Sequence, residues 1–410
     1  MSEVILVSVT GQDRPGLTAE LTGILARYDV NVLDIDQSVI HNSLSLGMLI
    51  ESPTDDECSV FKDLLFKGHE LNLNIRFTPI DEQDYENWVD AQGQAKHIVT
   101  LLGQLVTARH LARVTEVVGQ HGFNIDHISR LSGRTSLQKS SANKKSVACV
   151  QLSLSGDVKD VTRMHAEFLH ISQEMDLDVA VQEDNLYRRS RRLVCFDMDS
   201  TLIQAEVIDE LAKKAGVGQQ VAEITEAAMR GEIDFKESFL RRMRLLKGMD
   251  ESVLEDIAAN LPVTDGAERL IRYLKHFGYK VAILSGGFTY FANHLKNKLN
   301  IDYVYANELD FEKGKLTGEV KGEIIDGDMK AKLLRRLAEK EGISLEQVIA
   351  VGDGANDLAM LAIAGLGIAF HAKPLVKQQA QHSIATLGLD AILYLLGMHD
   401  REITEIESQV

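Results

Sequence analysis

The chain has 410 residues and a formal net charge of −17, from 44 Lys and Arg against 61 Asp and Glu; at about 150 residues per domain its length predicts two or three folding units. Hydrophobic residues at 45%, charged residues at 26% and only 5 prolines are the proportions of a chain that folds nearly throughout. The acidic excess repels nucleic acid and anionic lipid, and no run free of Asp, Glu, Lys and Arg, Val281 to Leu295 being among the longest, reaches the ~18 apolar residues of a membrane span.

The first thirty residues include Glu3, Asp13, Arg14, Glu20 and Asp29, which leaves no uninterrupted apolar core for a secretory signal, so a cytoplasmic protein is expected. Residues 1–80 read as one unit. A strand (Val4 to Val9) leads through the turn Gly11 to Gly16 into a helix from about Leu17 to Tyr28, whose apolar stripe is Leu17, Leu21, Ile24 and Leu25. The strand Val30 to Ile35, an alternating strand (Leu44 to Ile50), a helix (about Glu57 to Leu65) and a last strand (Leu73 to Phe77) complete it. Residues 81–95, with Asp81, Glu82, Asp84, Glu86 and Asp90, read as a polar linker.

Residues 96–183 repeat the first unit. Gly103 matches Gly11, Leu111, Val114, Val117 and Val118 form the helix stripe, and Asn124 in Phe123 to Ile128 matches Asn31. A strand (Val147 to Leu154), a helix (Val161 to Ser172) and a strand (Leu177 to Val181) follow. The order βαββαβ, met twice, predicts two ferredoxin-like α+β sandwiches. Ser132 to Ser146, rich in Ser and Lys, is expected to be a hairpin loop with a solvated tip. Cys58, Cys149 and Cys195 are far apart and in no CxxC pair, which fits packing in a reducing compartment better than zinc or a disulfide.

In residues 190–400 the pattern changes: short wholly apolar strands alternate with helices, the signature of a parallel sheet covered on both faces. Three of these strands end in polar clusters. Leu193 to Phe196 precedes Asp197-Met198-Asp199-Ser200-Thr201, Val281 to Leu284 precedes Ser285-Gly286-Gly287, and Val348 to Val351 precedes Gly352-Asp353-Gly354-Ala355-Asn356-Asp357. Each cluster alone is compatible with a helix cap or a tight turn. In an open α/β sheet, however, the carboxyl ends of the strands form the ligand crevice. Carboxylates gathered there would repel by ~4 kcal/mol per pair at 4 Å and an effective dielectric of about 20, so a cation is predicted. Oxygen ligands without Cys or His select a hard ion, Mg²⁺ before Ca²⁺, and Lys330 can supply a second positive charge for a phosphate dianion. Residues 204–261 have helix-like spacing and read as a cap over the crevice. Asn307 to Val320, with Gly314 and Gly318, reads as an edge hairpin without chemistry.

Taken together, Asp197-x-Asp199-Ser-Thr, Ser285-Gly286, Lys330 and Gly352 to Asp357 resemble the four ordered signatures of the haloacid dehalogenase-like (HAD) phosphatases. From about Leu193 to His399 their spacing is similar to the phosphoserine phosphatase branch, and the two repeats resemble the ACT domains that precede it in some bacteria. The resemblance implies a HAD-like Rossmannoid parallel sheet with a helical cap, preceded by two ACT domains, and Mg²⁺-dependent hydrolysis of O-phospho-L-serine. It implies Asp197 as nucleophile and Asp199 as general acid and base, with Mg²⁺ held by the Asp197 side chain, the Asp199 backbone carbonyl and Asp353, and Asp357 bracing them. Ser285, the Gly286 N–H and Lys330 would stabilise the phosphoryl oxygens. Glu206, Met229, Phe235 and Arg242 match the family's substrate contacts, and Asn356 matches a position near the substrate.

Gly11 to Gly16 resembles the ACT loop that can hold an amino acid, with L-serine a reasonable ligand; the second copy departs from it at Leu105-Val106-Thr107-Ala108. Exposed edges of two sandwiches favour a homodimer. Two other readings stay open: a phosphatase or phosphotransferase for another small phosphomonoester, and a serine-binding sensor.

Overall fold

The computed structural model describes residues 3–52, 57–90, 96–134, 147–156 and 161–407, in two compact units, 1–94 and 95–410. In the first unit, strands β1 (Val4–Gln12), β2 (Val32–Ile40), β3 (Ser43–Glu51) and β4 (Asn74–Ile80) form an antiparallel sheet in the order β2-β3-β1-β4. Period-two side chains Val7 and Val9 of β1 and Leu44, Leu46 and Met48 of β3 pack on Leu17, Leu21, Ile24 and Leu25 of the helix Leu17–Arg27. Strand β2 runs past the predicted end at Ile35 because it pairs with β3 as far as Ile40 opposite Ser43. Asp36, Gln37 and Ser38 hide that extension from an apolar-pattern reading, since both faces of β2 are largely exposed. The acidic stretch read as a linker contains a helix, Glu82–Asp90, with no buried residue.

The second unit begins with β5 (Lys96–Gly103), β6 (Asn124–Arg130), β7 (Ala148–Ser155) and β8 (Asp178–Glu183) in the matching order β6-β7-β5-β8, with helices Ala108–Gln120 and Val161–Met175. Both sandwiches thus have the expected βαββαβ order. Most of the expected Ser132 to Ser146 loop, residues 135–146, lies outside the described residues. Leu102, Leu131, Cys149 and Ala180 of this sandwich share one core with the following α/β domain. Asp178, buried at the start of β8, accepts the Ala385 N–H at 2.9 Å, the Thr386 N–H at 3.0 Å and the Thr386 hydroxyl at 2.7 Å. Cys149 and Cys195 are buried and free; the side chain of Cys58 lies outside those described.

The α/β domain has a seven-stranded sheet of β9 (Leu193–Phe196), β10 (Lys280–Phe288), β11 (Tyr303–Glu312), β12 (Lys315–Lys321), β13 (Val348–Gly352), β14 (Leu366–Phe370) and β15 (His382–Ile384). Its order is β12-β11-β10-β9-β13-β14-β15, parallel except for the edge hairpin β11–β12. Every residue of β9 and β13 is buried, as strands covered on both faces require. Chain order reverses at β9, with β10 on one side and β13 on the other, so a crevice opens at their carboxyl ends. The helices Val207–Ala215, Gly218–Met229, Phe235–Leu245 and Val253–Ala259 make the insert helical, as its spacing predicted. Among the described residues no helix is long and apolar enough to cross a membrane.

Candidate active site

Asp197 leaves the end of β9 at the crevice, and its N–H donates to Val351 O at 2.9 Å, which ties it to β13. Asp197 is 5% exposed. Its Oδ1 accepts the Met198 N–H at 2.7 Å and faces Lys330 Nζ at 2.9 Å. The chain then makes one wide turn from Met198 to Leu202, in which Asp199 is extended and Ser200 is left-handed with φ 55°. Asp199 Oδ1 accepts the Val207 N–H at 3.1 Å from the start of the cap. Its Oδ2 lies where a Cβ on Gly287 would come within 2.5 Å, so the second cluster needs glycine at this contact. Burial, then the nearby Glu206 and Asp197 carboxylates, raise the Asp199 carboxyl well above its ordinary value. These surroundings favour its protonated form.

The Asp197, Asp353 and Asp357 carboxylates bring ligand oxygens within 4.8 Å of one another. Lys330 is fully buried between two of them, with Nζ 2.7 Å from Asp357 Oδ1 and 2.9 Å from Asp197 Oδ1. Burial works against its charge, but Asp197 and Asp357 outweigh that cost and raise it. Asp357 is committed elsewhere: its Oδ2 accepts the N–H groups of Asp353 at 3.1 Å and Gly354 at 2.9 Å. Burial, with Asp197 against Lys330, pushes it up to about 6. Asp353 Oδ1 accepts the Thr201 hydroxyl at 3.2 Å. Burial, Asp197 and Asp357 push it up to about 7. One buried lysine among three carboxylates leaves excess negative charge, and the all-oxygen donor set fits a hard divalent cation.

Ser285, fully buried where the pairing of β10 with β11 becomes irregular after Leu284, accepts the Gly287 N–H on Oγ at 2.9 Å, leaving its hydroxyl proton to donate into the crevice. The residue that holds this turn is Asn307, for which the sequence reading assigned no chemistry. It is 2% exposed; Nδ2 donates to Gly286 O at 2.8 Å, and Oδ1 accepts the Ile325 N–H at 2.9 Å. One amide thus couples the Ser285 turn to the segment entering the Lys330 helix, Gly327–Glu341. The only signal in the sequence is an Asn that interrupts the short apolar run Tyr303 to Ala306, in the strand β11 next to β10. Asn307→Ala is expected to lower kcat by about 10- to 100-fold with a smaller change in KM, because the lost bonds loosen groups that act mainly on developing charge; steady-state kinetics check it.

The expected substrate contacts are placed on the insert and the sheet edge. Glu206 precedes the helix Val207–Ala215 and accepts the Ser200 hydroxyl at 2.8 Å. It opens onto solvent in the crevice mouth, yet the surrounding wall removes enough water to raise its carboxyl against that hydrogen bond, with Asp197 and Asp209 adding to the rise. Arg242, half-buried, lies within electrostatic range of Glu206, Asp209 and Asp199, although burial lowers its pKa. Phe235 stands over the second cluster, its Cζ 3.2 Å from a Cβ placed on Gly286, and stacks on Phe239 with centroids 6.3 Å apart. Asn356 faces Gly354 at the same edge. Met229 ends the helix Gly218–Met229, and its side chain lies outside those described.

Family models for ACT domains match residues 3–78 and 95–182, and one for a haloacid dehalogenase-like hydrolase matches residues 191–365. A phosphoserine phosphatase of Streptomyces coelicolor is 40% identical over 400 residues, covering 97% of this chain and 93% of the relative. One of Archaeoglobus fulgidus is 50% identical over 240 residues, 58% of this chain and 70% of its own length. Among solved structures, a HAD family hydrolase from Salmonella enterica aligns with TM-score 0.63 at 29% identity, over 73% of this chain and 98% of its own. An unliganded structure described as a probable phosphoserine phosphatase from Vibrio cholerae aligns with TM-score 0.57 at 36% identity, over 73% and 86%. With a relative matched nearly end to end and the acidic cluster at the switch of the sheet, this chain belongs to the phosphoserine phosphatase family of haloacid dehalogenase-like hydrolases, and it carries two ACT domains ahead of the catalytic one.

Proposed function

We propose that the chain hydrolyses O-phospho-L-serine to L-serine and phosphate through a phosphoryl-enzyme on Asp197. The observation that carries this reading is the pairing of two carboxyls in unlike surroundings: Asp197 beside the Lys330 ammonium at 2.9 Å, and Asp199 raised by burial and its acidic neighbours. The Asp197 carboxylate attacks phosphorus, the bond to the seryl oxygen breaks, and neutral Asp199 gives that oxygen its proton. Asp199, now anionic, takes a proton from water; the water oxygen bonds phosphorus, the acyl phosphate bond breaks, and Asp197 is restored as carboxylate. Lys330 and the Ser285 hydroxyl, with the Gly286 N–H, hold the charge that spreads over the phosphoryl oxygens.

Mg²⁺ is the cofactor we assign: the Asp197 side chain, the Asp199 backbone carbonyl and Asp353 would hold it, with Asp357 as brace, and it would supply charge neutralisation for the phosphoryl group. In the cap, Glu206 would take the substrate ammonium and Arg242 its carboxylate, with Phe235 and Met229 as walls and Asn356 close by. A phosphate-release assay across phosphomonoesters, with Asp197→Asn as the blank, tests the reading. Arg242→Ala should lower kcat/KM for phosphoserine by about 10²-fold or more, yet change turnover of phosphoethanolamine, which has no carboxylate, by less than about threefold. Equal losses on both esters would move the assignment to another small phosphomonoester. L-serine as ligand of the Gly11 to Gly16 loop, a homodimer and a cytoplasmic location complete the proposal. The buried, unpaired Cys149 and Cys195 support a reducing compartment, and a change in inhibition by added L-serine in an Asp13→Ala variant tests the loop.

A further inference from the structure

The seam between the second ACT sandwich and the catalytic domain holds a cavity of about 470 Å³, the size that takes a small organic molecule. Both domains build it: the helix Val161–Met175 gives His165, Phe168 and Leu169, strand β8 gives Val181, and the catalytic side gives Lys377 and His382. Its chemistry is one-sided, since none of the described residues lining it is acidic in a chain whose net charge is −17. His382 is 5% exposed, and its Nδ1 has no hydrogen-bond partner among the described residues. Burial, with His165 and Arg191 nearby, pushes the ring down to about 3, so at neutral pH it is uncharged.

Arg191 lies close enough to act on that ring and is itself 4% exposed. Its Nη2 donates to Gln182 Oε1 at 3.2 Å, while Nε and Nη1 have no partner among the described residues. Its hydrogen-bond acceptor among the described residues is a neutral amide, and Glu346 acts on it electrostatically, so part of its positive potential is left behind the cavity wall. Asp178, whose oxygens accept from Ala385 and Thr386, lies within electrostatic range of Lys377 and offsets part of this positive charge from behind the wall.

We propose that this cavity binds a small organic anion, its carboxylate between Lys377 and His382 and its apolar body against Phe168, Leu169 and Val181. Because the walls come from both domains, the occupant binds only the docked arrangement and stabilises it. The site stands apart from the catalytic crevice, so this inference does not depend on the substrate assignment.

The test uses the full chain with labelled histidines and hexanoate as probe, followed on the His382 imidazole signal, which is identified by its loss in His382→Gln. A saturable shift is expected with a Kd on the order of 1 mM. Binding should be at least about tenfold weaker in Lys377→Gln, and at least about tenfold weaker for hexanamide, which has the same shape without the charge. No shift through about 10 mM hexanoate, equal affinity in Lys377→Gln, or equal affinity for hexanamide would each overturn the proposal.

Discussion

Asp197→Asn is expected to remove turnover of phosphoserine by at least about 10⁴-fold while leaving the fold and phosphate binding in place. The substitution is nearly isosteric, and the amide oxygen can still accept from Met198 N–H and Lys330 Nζ, the two donors that hold Oδ1 now. Lys330 keeps its second carboxylate, Asp357, at 2.7 Å, so no buried cation is stranded. What disappears is the nucleophile and one negative charge. Removing that charge has a second consequence, because Asp197 is among the causes that raise both Asp199 and Asp353. Both carboxyls should titrate lower in the variant, Asp353 below its present value of about 7. Acid-quench experiments with phosphorus-labelled substrate separate the chemistry from binding: the native chain should trap label on protein and the variant none. Normal turnover in Asp197→Asn would falsify the covalent route.

The same residues explain how far the sequence could be read. The catalytic sheet was legible because β9 and β13 are buried on both faces and so are written as uninterrupted apolar runs, each broken by a carboxylate where the strand meets the crevice. Spacing could not reveal Asn307, whose importance rests on two hydrogen bonds to backbone segments that come from other parts of the chain. Ser200 is a similar case: its backbone is left-handed and its hydroxyl reaches Glu206, neither of which a Ser-Thr pair after an Asp announces by itself. In β2, polar residues on an exposed edge strand erased the alternation that marks strand length elsewhere. The seam is harder still, since Asp178 and Gln182 act across more than two hundred residues of chain. Periodicity reports which face a residue occupies, and these residues work through which partner they meet.

Divalent-ion binding should strengthen with pH, and the metal-free protein should show the reverse tendency at the same carboxyls. Asp353 stands at about 7 in the folded chain against an ordinary 3.8, and Asp357 at about 6. Folded-state values above the unfolded ones mean that the folded protein holds more protons through this window. The contribution of these groups to stability is therefore full below about pH 4 and lost progressively as pH rises through about 7, where the crowded carboxylates are ionised beside only one buried lysine. Other acids with lowered values, such as Asp302 and Asp326, push the opposite way, so the effect is read as the difference between the native chain and Asp353→Asn. A cation must displace those protons, so its affinity should fall by roughly tenfold per pH unit for each proton displaced below about pH 7. Mg²⁺ should consequently raise Tm far more near pH 8 than near pH 5.5 in the native chain, and by little at either pH in Asp353→Asn. Thermal scans with and without the ion at the two pH values measure this directly. An equal Mg²⁺-dependent shift at both pH values, or one that survives in Asp353→Asn, would mean that the ion binds elsewhere than at the carboxyl end of β9 and β13.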